Sequence, residues 1–357
     1  MRLHRVWLTD FRNYASADVV LAPEALTVVV GGNGQGKTNL LEAVAYLATL
    51  SSFRGAPPEA LVRTGASAAV LRAEGRRDGR DLLVEAEINP AGRSRTQVNR
   101  QPLRRASDLL GALRITLFSP DDLELVKGGP AGRRRWLDDA LVALHPRNAA
   151  IRADAERVLR QRNALLKQCR GRLDDAATST LDVWDAKLAA TGEVLAATRA
   201  DLVAGLEVPI GKAYDQVAGA PADVGVAYER SWAGPLAAAL AAARADDVRR
   251  CLTTVGPHRD ELRLSVGGAP VRTHASQGEQ RSVALALRLA VHGAVTEAVG
   301  EPPVLLLDDV FSELDADRSA ALVSHLPDGQ ALLTTAGAVP DGIRPALTVR
   351  VGGGRIL

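Results

Sequence analysis

Apolar residues follow two rhythms along this chain, and their order outlines its architecture. Residues 3–8 and 26–30 read as strands. The second, Leu26-Thr27-Val28-Val29-Val30, is a nearly continuous apolar run that feeds a glycine-rich loop. From about Lys37 to Leu50 the spacing turns helical, with Leu40, Leu41, Val44 and Leu47 on one face. Residues 68–118 look β-rich: Val70–Glu74 and Leu82–Glu85 flank the turn-forming segment Gly75–Gly79, and Ile115–Phe118 is another short strand.

Between about Ala131 and Arg250 glycine becomes sparse, and Ala, Leu, Arg and Asp dominate at helical spacing. This predicts an inserted helical lobe, with an antiparallel helix pair as its arm. Leu236–Ala243 holds only alanine and leucine, which suits a helix, and Val224–Tyr228 reads as a strand interrupting the helices. From Gly256 onward strands and helices alternate again. A long apolar helix is expected over about 279–298, a buried strand over Val304–Asp308 and another over Ala331–Thr335. The expected organisation is α/β. A head comes from residues 1–130 and 251–357, with its β-rich part at about 60–118, and a second lobe is inserted over 131–250.

Composition changes this picture little. Apolar residues make up 46% and charged residues 24% of 357, the ordinary balance of a globular chain. No apolar run approaches the roughly 20 residues that cross a bilayer, and the start lacks a signal-peptide core. Both point to the cytoplasm and away from a membrane. Cys169 and Cys251 form no Cys-x-x-Cys, which argues against a disulfide framework or zinc site. A net charge of +2 excludes a chain that is basic everywhere. Lysine occurs only at positions 37, 127, 167, 187 and 212, so the positive charge is nearly all arginine, through either coding bias or placed clusters.

Three motifs carry chemistry. Gly31-Gly32-Asn33-Gly34-Gln35-Gly36-Lys37-Thr38 fits G-x-x-x-x-G-K-[ST] after a strand and before a helix. Its glycines let backbone N–H groups face phosphate oxygens, and the helix N-terminus adds partial positive charge. Lys37 is placed to neutralise the outer phosphates of ATP and Thr38 to ligate Mg2+. Leu305-Leu306-Leu307-Asp308-Asp309 sets a carboxylate at the end of a buried strand. Asp308 is the candidate partner of Mg2+ through water, and Asp309 the candidate that positions attacking water. Where related ATPases carry Glu, Asp309 is one methylene shorter, which predicts slow hydrolysis. Ser276-Gln277-Gly278-Glu279 fits a capping box ahead of the long helix. It also fits the signature with which one subunit closes another's phosphate loop. In that reading Ser276 and the Gly278 backbone donate to a partner's γ-phosphate, and the chain is an ATP-gated homodimer. Phe311–Asp315 either crosses such an interface or simply starts a helix, with Asp315 as cap.

Further stretches join these: Asp10-Phe11-Arg12-Asn13-Tyr14, Phe118–Leu123, Arg133-Arg134-Arg135-Trp136-Leu137-Asp138, Gln161–Lys167 and Gly256-Pro257-His258-Arg259-Asp260. Two of them, Gln161–Lys167 and Gly256–Asp260, are far more specific than the ATPase motifs. With the three motifs, the chain resembles the RecF family of bacterial recombinational repair, in the SMC-like branch of ABC ATPases. The coiled-coil cousins place hundreds of residues between the nucleotide motifs, whereas 237 separate Thr38 from Ser276 here. The resemblance implies an ABC-type P-loop ATPase head with a β-rich sub-lobe and an inserted helical lobe. It implies an ATP-dependent dimer that binds duplex DNA near gaps and junctions with single-stranded DNA, and helps RecO and RecR load RecA in replication restart and the SOS response. It also places Arg12 and Asn13 near the nucleotide, although that segment reads equally as a solvated turn. His258 is a candidate for an interface or for DNA, or a structural histidine.

Phosphate contact needs clustered cations. The candidates are Arg93, Arg95, Arg100, Arg104 and Arg105 in the β-rich part and Arg133, Arg134 and Arg135 before the insertion. With aromatics at 3%, contact with the duplex backbone is favoured over base stacking. Two other readings are a transporter's ATPase subunit and a monomeric P-loop phosphotransferase. The first lacks a lid glutamine near Ser119–Asp122 and a switch histidine, since Thr334-Thr335 occupies that strand end. The second leaves Ser276 and Asp315 without a role.

Overall fold

The run Leu26–Val30 is the middle strand of a sheet ordered Arg355–Ile356, Leu347–Gly352, Leu26–Val30, Ala331–Thr335, Val304–Asp308, Ile115–Phe118. All neighbours are parallel except the Arg355–Ile356 edge. Val304–Asp308 is buried at every residue, which explains its unbroken apolar sequence. The register sets Asp308 opposite Thr334, and Thr335 opposite Val30, so the strands end together at the glycine-rich loop. The crevice beyond such strand ends is where open α/β sheets bind ligands.

This computed structural model describes residues 1–337, 339 and 342–357. The chain forms two units. One comprises Met1–Leu123, Lys212–Pro221 and Gln277–Leu357; the other comprises Glu124–Gly211 and Ala222–Ser276. The first unit also holds an antiparallel sheet, ordered Tyr14–Val20, Arg2–Phe11, Ala69–Arg77, Arg80–Ile88, Arg95–Val98, Gln101–Pro102. Its inner face, including Leu3, Val6, Leu8, Leu71 and Val84, shares one core with Leu40, Leu41, Val44 and Leu47 of the helix Lys37–Thr49.

The turn expected over Gly75–Gly79 is tighter than the sequence suggests. The strands run on to Arg77 and from Arg80, and only Asp78 and Gly79 turn, at φ 50 and 72. That pair fits the two left-handed positions of a hairpin. Gly75 is instead a close-packing position inside its strand, where a Cβ would stand 2.0 Å from the Arg2 carbonyl oxygen.

The second unit contains the helices Pro130–Leu144, Asn148–Cys169 and Leu236–Arg250, most of Asp175–Ala218, and a sheet ordered Ala269–Pro270, Glu261–Val266, Val224–Glu229. Its Gln-Arg-Asn segment buries Arg162 completely. Nε donates to Asp185 at 2.6 Å, and Nη1 donates to Asp247 at 2.7 Å and Thr253 at 2.8 Å. Three helices and the following segment thus meet at one guanidinium. Arg199, also buried, pairs bidentately with Asp138 and donates to the Pro257 carbonyl.

The helix Gln277–Val299 qualifies by length and composition as long and apolar enough to cross a membrane, and 61% of its apolar window is buried inside the fold. It is not an unbroken apolar run, since Glu279, Arg281, Arg288 and Glu297 interrupt it. Burial of Val283, Ala286, Leu287 and Ala290 accounts for the apolar sequence as core packing.

Candidate functional site

The loop after Val30 is shaped by two left-handed glycines, Gly34 at φ 75 and Gly36 at φ 120. A Cβ on Gly36 would lie 2.8–3.0 Å from the Asn13 amide and the Tyr14 hydroxyl. Those two side chains brace the loop. Asn13 Nδ2 donates to the Gln35 carbonyl at 2.9 Å, Tyr14 donates to the Gly36 carbonyl at 3.0 Å, and Asn39 donates to Asn13 Oδ1 at 2.8 Å. From the other side the amides of Gly353 and Gly354 donate to the Gln35 side chain and carbonyl at 2.6 and 3.0 Å. Gly31 passes so close to Val351 that a Cβ would meet its carbonyl oxygen at 2.3 Å. Gly32, Asn33 and Gly34 remain exposed at the apex. Lys37, 7% exposed, opens the helix and donates from Nζ to the Gly32 carbonyl at 2.9 Å.

Thr38 and Asp308 come together at the strand ends. Thr38 Oγ1 donates to Asp308 Oδ1 at 2.9 Å, and Thr334 Oγ1 donates to the same oxygen at 2.7 Å. Burial pushes the Asp308 carboxyl above its ordinary range and Asp309 adds to this; the two hydroxyls and Arg54 oppose it. Asp309 is half-buried in a left-handed conformation, φ 48, and its amide donates to Thr334 at 3.0 Å. A hydroxyl and a carboxylate are hard oxygen donors of the type Mg2+ takes alongside water and substrate phosphate. Among the described residues no cluster of three or more His, Cys, Asp or Glu could hold a metal.

Arg12 and Asn13 part company. Asn13 touches the loop, whereas the Arg12 guanidinium is committed elsewhere. It pairs bidentately with Glu42 at 2.8 and 2.7 Å and donates to the Ala60 carbonyl. Glu42 is fully buried in the loop's own helix and also accepts from Ser52. Sequence reasoning missed Glu42, whose charge lies within an apolar helical stretch. It also missed Arg54, an exposed cation that donates to Asn39 and whose charge reaches Asp308. No motif sets Arg54 apart.

Ser276 and Gln277 are exposed and Gly278 half-buried, at the start of the helix Gln277–Val299. Gly278 lies beneath the Arg318 guanidinium, where a Cβ would meet its carbon and terminal nitrogens at 2.6–2.7 Å. Asp315 caps the helix Ala316–Ser324 by accepting from the Arg318 amide at 2.8 Å.

The candidate DNA arginines divide by exposure. Arg93, Arg95, Arg100, Arg104 and Arg105 are exposed around the strands Arg95–Val98 and Gln101–Pro102, and among the described residues none of them has an ion-pair partner. Arg133 must be withdrawn from the set. It is 7% exposed, pairs bidentately with Glu261 at 2.7 and 2.9 Å, and donates to the Leu125 and Gly128 carbonyls, so no face is left for a phosphate. Arg134 is half-buried and donates to the Asp260 carbonyl, while Arg135 is exposed. His258 faces the Thr253 carbonyl from Nε2 at 3.0 Å, and burial lowers its pKa to about 4. A neutral ring bonded to backbone is a structural histidine.

Known proteins resemble this chain over nearly its whole length. Residues 2–334 match the family described as RecF/RecN/SMC N terminal domain. The DNA replication and repair protein RecF of Streptomyces avermitilis is 46% identical, over 96% of this chain and 95% of that protein. Its namesake in Nocardioides sp. is 44% identical, over 98% of each. Among solved structures, that of the recombination mediator protein RecF with ATP in the RecFOR pathway superposes at a TM-score of 0.91. It shares 27% identity and covers 99% of this chain and 96% of that one. The Smc head domain of Pyrococcus furiosus superposes at 0.57 with 16% identity, covering 100% of this chain and 95% of that one, a likeness of fold alone. None of these relatives is a transporter subunit or a phosphotransferase.

Proposed function

The chain belongs to the RecF family of DNA replication and repair proteins, and from that membership we propose that it is an ATP-gated DNA clamp of recombinational repair. The observation that carries this reading is the meeting of Thr38 with Asp308 beneath a braced phosphate loop. It is the arrangement needed to hold a magnesium–triphosphate.

In this reading the backbone of Gly31–Gly36 and the Lys37 ammonium bind the phosphates of ATP. Thr38 and, through water, Asp308 hold Mg2+. That ion supplies charge neutralisation at the phosphates and orients them. Asp309 positions water from a short side chain, so turnover is slow and acts as a timer. Asn13 fixes the loop and Arg12 fixes its helix by neutralising Glu42. Arg54 contributes a nearby cation. Ser276 and Gly278 close a second copy's loop, so that ATP joins two chains and hydrolysis parts them.

The exposed arginines Arg93, Arg95, Arg104 and Arg105, with Arg135 and the half-buried Arg134, contact duplex phosphates, a sequence-independent grip that salt weakens steeply. The proposed partners are RecO and RecR, which a relative's place in the RecFOR pathway supports, and through them the chain aids RecA loading at gapped DNA in the cytoplasm, in support of replication restart and the SOS response. The test is binding to a gapped duplex with ATP, a slowly hydrolysed analogue and ADP across a salt series, with particle size measured in parallel. The analogue should give a dimer and the tightest DNA binding. Equal DNA affinity in all three nucleotides, or a monomer throughout, would overturn the proposal.

A further inference from the structure

The first turn of the helix Gln277–Val299 meets the first turn of Ala316–Ser324 through two residues. The Arg318 guanidinium lies flat over Gly278, close enough that any side chain there would collide with it. One end of the fork pairs with Asp315, and among the described residues the buried Nε has no acceptor. The Arg318 side chain is 27% exposed, so part of the fork faces solvent. Asp315 is exposed, and its carboxyl is held below the usual range by the Arg318 amide and guanidinium, with Arg281 adding to this. Glu279 and the buried Tyr214 complete the surroundings: burial and Glu279 raise the Tyr214 hydroxyl, and Arg318 opposes them.

We propose that Arg318 is a ligand, supplied in trans, for the terminal phosphate of ATP held by a second copy of the chain. The inference rests on the reading that this phosphate arrives at Gly278. An anion coming there meets the positive end of a long helix and a planar fork of donors that fits phosphate bidentately. Its present counter-ion is a solvent-exposed carboxylate, which holds it weakly. A γ-phosphate displaces Asp315 from the fork, whereas ADP brings none and Arg318 stays with Asp315. Arg318 then reports across the interface whether the opposite site holds ATP or ADP, a task that neither the Ser276 hydroxyl nor a backbone amide performs with a full charge.

Full-length Arg318→Ala, Arg318→Lys and Asp315→Asn are compared with wild type for nucleotide affinity and for dimerisation by sedimentation with a slowly hydrolysed ATP analogue. Arg318→Ala should bind the analogue within about twofold of wild type yet dimerise about 100-fold more weakly, the loss of two charge-assisted hydrogen bonds. Arg318→Lys keeps a point charge and should recover part of that. Asp315→Asn keeps the cap but frees the fork, and should dimerise at least as tightly as wild type. Wild-type dimerisation by Arg318→Ala overturns the proposal. So does an Asp315→Asn defect as deep as that of Arg318→Ala, which would mean that the pair only shapes the loop. If Ser276→Arg also dimerises normally, it is the underlying reading of the interface that has failed.

Discussion

Thr38 Oγ1 and Asp308 Oδ1, 270 positions apart in sequence, stand 2.9 Å from each other. The hydroxyl and carboxylate proposed to hold the nucleotide's metal are thus adjacent. Asp308 is 5% exposed and its carboxyl is raised by burial. The native state therefore takes up a proton more readily than the unfolded chain. This stabilisation is full below the unfolded carboxyl's range and is lost as pH rises through the folded value. Asp308→Asn removes the buried charge. Without nucleotide it should be more stable than wild type at neutral pH by about 1 kcal/mol, with the gap closing in acid. It should also lose the tightening of ATP binding by Mg2+. Thermal unfolding over a pH series, with and without Mg2+, checks both.

Lys37→Met should weaken ATP binding at least about 100-fold, the scale of two charge-assisted hydrogen bonds. The fold should persist, since among the described residues the ammonium bonds to the loop carbonyl of Gly32 alone. Titration with a fluorescent nucleotide decides, and unchanged affinity would refute the cradle.

Ser276→Arg should bind ATP as wild type does and fail to dimerise. Ser276 is exposed ahead of its helix, so the added bulk disturbs an interface and not a core. Light scattering with the ATP analogue is the measurement; a dimer of normal strength removes the trans arrangement.

Asp309→Ala should retain ATP-driven dimerisation and trap it, slowing turnover by about 100-fold, the range of a positioned base. Single-turnover hydrolysis is the readout, and normal turnover would mean that another group positions the water.

Arg162→Met should cost the helical unit about 3–5 kcal/mol, because Asp247 would keep a buried charge with no cation and Asp185 would keep only Arg244. Denaturant unfolding of the two units should show the loss in the one that carries Arg162, with nucleotide affinity intact below the transition.

What the sequence made legible is what depends on neighbours along the chain. The strand Leu26–Val30, the loop glycines, the helix from Lys37 and the strand Val304–Asp308 follow from period and local backbone chemistry, and all occur as expected. Gly75 misled because glycine serves both turns and close approach, and only the Arg2 carbonyl, remote in sequence, tells which. Arg133 looked like one member of a cationic triplet; Glu261, 128 residues away, decides that it is internal. Glu42, Arg54 and the cover of Arg318 over Gly278 have no sequence signal, since each is defined by a partner from another segment.

The struts on Gln35 and Gly36 from Asn13, Tyr14, Gly353 and Gly354 have an energetic outcome of their own. A mould held by bonds within the chain itself loses little chain entropy on capture. In the proposed dimer, more of the attraction for the triphosphate is then left over for recruiting the second molecule, so that loosening any strut should show up as weaker pairing of chains at a given nucleotide concentration.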